Sequence, residues 1–102
     1  MSQIQSFGEI IKEAREKRCM LLRHVGAELD IDQAIVSKLE RGERKANKDQ
    51  VTKFAELFEL DVEMLLTAWM SDKIVYELMG FENAQKVLKV AEKKIKYVAN
   101  KG

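Results

Sequence analysis

Apolar residues return every three or four positions along almost the whole of this chain, and no proline interrupts them. With 3.6 residues per turn, that spacing gathers the apolar side chains on one face of a helix. The pattern therefore predicts an all-α protein, with no strand. Ser6 followed by Glu9 has the form of a capping box, and Ile10, Ile11 and Ala14 share a face, so a first helix is expected over about Phe7 to Arg18. Leu21, Leu22, Val25 and Leu29 predict a short second helix ending near Asp30. Asp32 can cap a third helix of about nine residues, in which Val36 and Leu39 point inward before Gly42 supplies a left-handed stop. Asn47 caps a fourth, carried by Val51, Phe54, Ala55 and Phe58 and ending near Leu60.

Asp61 can cap a fifth, longer helix whose stripe is Leu65, Leu66, Trp69, Met70, Ile74 and Leu78, closed by Gly80 with Phe81 placed for a Schellman contact. A last helix is expected from near Asn83. There Ala84, Leu88, Ala91, Ile95 and Val98 step by four, three, four and three, the spacing of a heptad seam, although about two heptads are too few to establish a coiled coil. One candidate boundary results: residues 1–61 as a compact domain and residues 62–102 as a helical extension.

A chain of 102 residues holds one domain with an appendage at most. With 46% hydrophobic and 34% charged residues it reads as globular, not disordered. A single cysteine, Cys19, cannot form an internal disulfide, and no basic stretch at the N-terminus is paired with an apolar run, so a cytoplasmic chain is expected. Apolar runs such as Ile35 to Val36 and Met64 to Leu66 are far shorter than the roughly 20 residues that span a bilayer, so no membrane segment is expected.

The net charge of +1 hides an asymmetry. Asp32 to Lys48 carries five basic residues (Lys38, Arg41, Arg44, Lys45, Lys48) against three acidic, whereas Asp49 to Asp72 carries one lysine against six acids. Such a basic segment beside an acidic one is either a solvated face or the footprint of an anionic partner.

Two short helices joined by three or four residues, the second followed by a glycine and a basic run, have the geometry that places one helix in a DNA major groove. The outer face of the third helix carries Gln33, Ala34, Ser37, Lys38 and Arg41. Gln can bond adenine through two contacts, Lys favours guanine acceptors, Ala suits a thymine methyl and Ser adapts to several bases.

From Phe7 to Leu60, and above all in the string Ile35-Val36-Ser37-Lys38-Leu39-Glu40-Arg41-Gly42-Glu43-Arg44, the chain resembles the Cro and phage-repressor type of helix-turn-helix regulator, also called XRE-like. The resemblance implies a five-helix domain in which Gln33, Ala34, Ser37 and Lys38 read bases while Arg41, Arg44 and Lys45 hold phosphates. It also implies that Arg15 and Glu40 pair beneath the recognition helix. The sequence departs from the family's pattern in several places. Leu22 stands where the second helix often begins with a phosphate-gripping glutamine; Arg23 or His24 would supply that contact from the next positions, or is a solvated surface residue. Gly26 replaces the alanine inside the second helix, Asp30 the glycine of the turn, and Ala46 the proline after the basic run. Asp30 is then required to adopt a left-handed backbone.

Cys19, where the first helix turns into the second, reads as a small buried hydrophobe. His24 has no nucleophile or metal-ligand partner at a recognisable spacing, so neither an enzyme nor a bound metal or cofactor is expected. Trp69, Met70 and Met79 would line an inducer pocket, fill the core or meet a second chain. The dimer is favoured, because two amphipathic helices after a complete small domain bury more by pairing with their copies than by folding back. The expected dimer contacts are Trp69, Met70, Leu88, Ala91 and Ile95, with Lys86, Lys89, Lys93, Lys94 and Lys96 solvated on the outside of the last helix.

The function expected is therefore a transcriptional regulator binding a palindromic operator as a homodimer, of the restriction-modification-controller or phage-repressor kind. The alternative is an interaction module or antitoxin that binds a protein partner through its acidic fourth and fifth helices.

Overall fold

Four of the first five helices begin at a side chain that accepts a backbone N–H the helix cannot satisfy itself. In the computed structural model, which describes residues 4–101, these helices are α1 (Phe7–Lys17), α2 (Leu22–Leu29), α3 (Gln33–Glu40), α4 (Lys48–Phe58) and α5 (Val62–Leu78), followed by α6 (Ala84–Lys101), with no strand among the described residues. Ser6 Oγ accepts from the N–H of Glu9 at 3.1 Å and Glu9 returns the bond to Ser6 at 2.9 Å. Asn47 and Gln50 form the same reciprocal box at 2.8 and 3.1 Å. Asp32 and Asp61 accept from residues two positions on, Ala34 and Glu63, at 2.8 and 2.9 Å. For α2 the position before the helix is Leu21, and its N–H donates to His24 Nδ1 at 3.0 Å.

The first four helices all stop in the left-handed way, and glycine supplies only one of the four stops. The residues at positive φ that end these four helices are Cys19, Asp30, Gly42 and Glu59. After α1, the N–H of Met20 reaches Arg15 O at 3.1 Å and that of Cys19 reaches Glu16 O at 3.0 Å, the paired bonds of a Schellman motif. Glu43 to Lys38 with Gly42 to Leu39, and Leu60 to Ala55 with Glu59 to Glu56, repeat it after α3 and α4. Cys19 is accordingly exposed, correcting the expectation that it is buried: its backbone turns the chain and its thiol points outward.

Helix α5 ends otherwise than expected. Met79 at φ −58° and ψ 130°, Gly80 at φ 82°, and a bond from the N–H of Phe81 to Leu78 O at 3.0 Å make a type II turn in place of a Schellman stop. Phe81 stays exposed and packs back on nothing that would bury it.

Phe54 lies at the centre of the core, edge-on to Phe7 with ring centroids 5.8 Å apart and stacked beside Phe58. Ile11, Val25, Val36, Leu39, Val51 and Leu65 close around it, so all five helices contribute. The core does not end at residue 61. Leu65 and Trp69 of α5 are buried, and Asp72 Oδ2 accepts the N–H of Phe7 at 2.8 Å, so α5 packs on the other helices as far as Asp72. Part of α5 thus packs on the core although the expected boundary falls at residues 61 and 62, because the stripe of α5 changes its surroundings along its length. Past Asp72, Val75, Tyr76 and Met79 are exposed, and no side chain of α6 is buried. No helix among the described residues is long and apolar enough to cross a membrane.

Two substitutions at turn positions have opposite signs. At Cys19, glycine relieves a left-handed strain of about 1–2 kcal/mol. It also frees the unfolded chain by about 0.4–1 kcal/mol, which leaves a gain of roughly 0.5–1 kcal/mol for Cys19→Gly. A Cβ on Gly26 would stand 2.6 Å from Ile31 O, so Gly26→Ala is overpacked and loses about 1–3 kcal/mol. Urea unfolding of both variants measures this; two shifts of the same sign would contradict it.

Candidate nucleic-acid interface

The approach of the two short helices is set by backbone contact. Gly26 leaves room for the carbonyl of Ile31, so the three-residue turn Asp30 to Asp32 folds directly onto α2. Gly8 does the same at the other end of α3: a Cβ there would lie 2.5 Å from Glu40 O, so the first turn of α1 rests on the last turn of α3. Helix α3 then has one buried side, Val36, Leu39 and Glu40, and one outer side on which Gln33, Ala34 and Lys38 are exposed and Ser37 is half-buried. The expected base readers thus stand together on one outer face.

Arg15 and Glu40 meet beneath that face. Arg15 Nε donates to Glu40 Oε2 at 2.7 Å and Nη2 to Oε1 at 3.1 Å, while Nη1 donates to Met20 O at 2.9 Å. One guanidinium therefore ties α1, the α1–α2 turn and the end of α3. The hydrogen bonds to Glu40 raise the Arg15 pKa against the opposing effect of burial, so the guanidinium stays charged.

The basic residues divide by what they already touch. Arg41 donates from Nε and Nη2 to Glu43 at 2.9 and 3.0 Å, and from Nη1 to Ser37 Oγ. This exposed pair holds the Glu43 carboxyl below its usual range through the hydrogen bond from Arg41, so a phosphate at Arg41 has to displace Glu43. Arg44 and Lys45 form no ion pair with another described residue; Lys45 Nζ lies 4.4 Å over the ring of Tyr76. Arg23 is exposed in the first turn of α2, next to the His24 that caps that helix.

Trp69, which the sequence pattern puts at a dimer contact, is a core residue. It is 8% exposed, and its Nε1–H donates to Ala46 O at 2.8 Å, tying α5 to the loop that follows α3. Spacing alone cannot separate a tryptophan facing its own domain from one facing a second chain, because both lie on the same stripe. Lys73, whose Nζ sits 3.8 Å over the Trp69 ring, is a residue the sequence did not single out, since it lies 28 positions beyond Lys45 in the chain. Met70, Leu88 and Ile95 remain exposed and Ala91 is partly so.

Removing one partner of the buried pair leaves the other charge uncompensated, so Glu40→Ala or Arg15→Ala destabilises by about 3–5 kcal/mol. The double replacement Arg15→Met with Glu40→Leu recovers most of that loss. A double-mutant cycle by urea denaturation measures both; single variants as stable as the native chain would remove the pair from the architecture.

A family model described as helix-turn-helix matches residues 11–65, just over half of the chain. No curated protein and no solved structure matches it. The matched span runs from the buried Ile11 to the buried Leu65 and encloses α2, the turn, α3 and the basic loop. The chain belongs to the helix-turn-helix family of DNA-binding regulators, of the XRE type.

Proposed function

We propose that the protein is a cytoplasmic transcriptional regulator that binds a palindromic operator as a homodimer, placing one α3 in each of two successive major grooves. The observation that carries this reading is the division of α3 into a buried side and an outer side bearing Gln33, Ala34, Ser37 and Lys38, followed at once by exposed cations. Gln33 and Lys38 discriminate bases, each good contact contributing about 1–3 kcal/mol, while Arg44 and Lys45, with Arg23 and a released Arg41, hold phosphates. Half-sites lie about 34 Å apart, one helical turn.

The dimer reading is supported by what the domain leaves uncovered. Met70, Ile74 and Val75 on α5 and Leu88, Ile95 and Val98 on α6 are all exposed, and Ala91 lies on the same side of α6. Apolar area removed from water contributes roughly 25 cal/mol per Å², and a second copy offers the matching stripe. Trp69, engaged with Ala46, is not part of this surface.

Selection of bound sites from a random duplex library tests the reading. The native chain enriches an inverted repeat. Lys38→Ala and Gln33→Ala flatten the preference, whereas Arg44→Ala weakens cognate and scrambled sites alike. Equal losses on both kinds of site in all three variants overturn this assignment of roles, and a folded chain that enriches nothing is instead an interaction module acting through its acidic faces. In sedimentation, Leu88→Glu with Ile95→Glu yields a monomer; an unchanged association state removes α6 from the dimer.

A further inference from the structure

We propose that Lys73 of α5 is a DNA phosphate ligand, completing with Arg44 and Lys45 a basic hollow on the flank of the recognition unit; this rests on the DNA-binding reading above. The hollow has a volume of about 140 Å³ and lies between the start of α1, the loop after α3 and the second half of α5. At about 30 Å³ per water, it has room for a phosphate group with part of its hydration shell.

Three features argue for an anion there. Arg44, Lys45 and Lys73 converge on the hollow, and none forms an ion pair with another described residue. The carboxylate lining the hollow, Asp72, has an oxygen engaged by the N–H of Phe7 at 2.8 Å. Three cations against the one carboxylate leave the hollow with a surplus of positive charge, and a phosphate offsets it.

The two ammonium groups are also held in place. Lys73 Nζ rests on Trp69 at 3.8 Å and Lys45 Nζ on Tyr76 at 4.4 Å. Trp69 is itself fixed by its bond to Ala46 O, so the ring that positions Lys73 also positions the loop carrying Arg44 and Lys45. Of the two rings only Trp69 is buried, so Lys73, stacked on it, has lost side-chain freedom before any ligand arrives. The nearest polyanion to a loop that leaves the recognition helix directly is the backbone of the duplex that helix reads.

The test is the salt dependence of binding to one selected operator duplex. Each phosphate contact adds about 0.9 to the slope of log affinity against log salt. Lys73→Gln therefore lowers the slope by about 0.9, so that a fourfold rise in salt weakens the variant about 3.5-fold less than the native chain. Lys73→Arg keeps the native slope. Lys53→Gln, which removes the same charge beside Asp49 on α4, leaves the slope unchanged and serves as the control for net charge. A native slope in Lys73→Gln, or an equal drop in Lys53→Gln, overturns the assignment of Lys73 while the DNA-binding reading stands. A native chain without salt-dependent affinity overturns both.

Discussion

The ion pair of Arg15 with Glu40 fixes the direction of the recognition helix. Glu40 is the last residue of α3, where the helix dipole disfavours a carboxylate, and it is buried, which disfavours any lone charge. Both penalties are offset by one guanidinium that reaches it with two nitrogens and uses the third on Met20 O. Because Arg15 is on α1 and Gly8 admits the carbonyl of Glu40 against the same helix, α3 is held at its C-terminal end by charge and by backbone contact at once. The N-terminal end is free of both constraints, and its own anchor is the Asp32 cap and the tight turn onto Gly26.

Those two ends of α3 differ in how far they could be read from the sequence. Caps are local: Ser6 with Glu9, Asp32, Asn47 and Asp61 are recognisable because the acceptor and the orphan N–H are two or three residues apart. The inward residues Val36, Leu39, Val51, Phe54 and Phe58 follow from periodicity, and all are buried. What was not legible involves partners far away in the chain. Trp69 donating to a carbonyl 23 residues earlier, Asp72 accepting from Phe7 and Lys73 joining Arg44 have no signature in spacing. They are why α5 packs on the other helices as far as Asp72, which periodicity does not indicate.

Helix stops are set by more than residue type. Glycine after a periodic stretch marks a left-handed turn, which holds at Gly42, but Cys19 and Glu59 adopt the same backbone without being flagged by residue type. At both, the pair of hydrogen bonds to the preceding turn holds the conformation against its intrinsic cost. Conversely, Gly80 suggested the same motif and serves a type II turn, since Met79 before it is extended and not helical. Residue preference states which conformations are cheap; the surrounding hydrogen bonds decide which one is adopted.

Helix α6 draws little support from within its own chain. Its 18 residues have no buried side chain, and an isolated helix of that length is marginal in water because nucleation is unfavourable and only packing makes up the difference. Its order is thus tied to whatever covers Leu88, Ala91 and Ile95. If that cover is another copy, helicity becomes a function of protein concentration: the far-ultraviolet signal of a dilute sample falls below that of a concentrated one, and the last fifth of the chain reports cellular abundance.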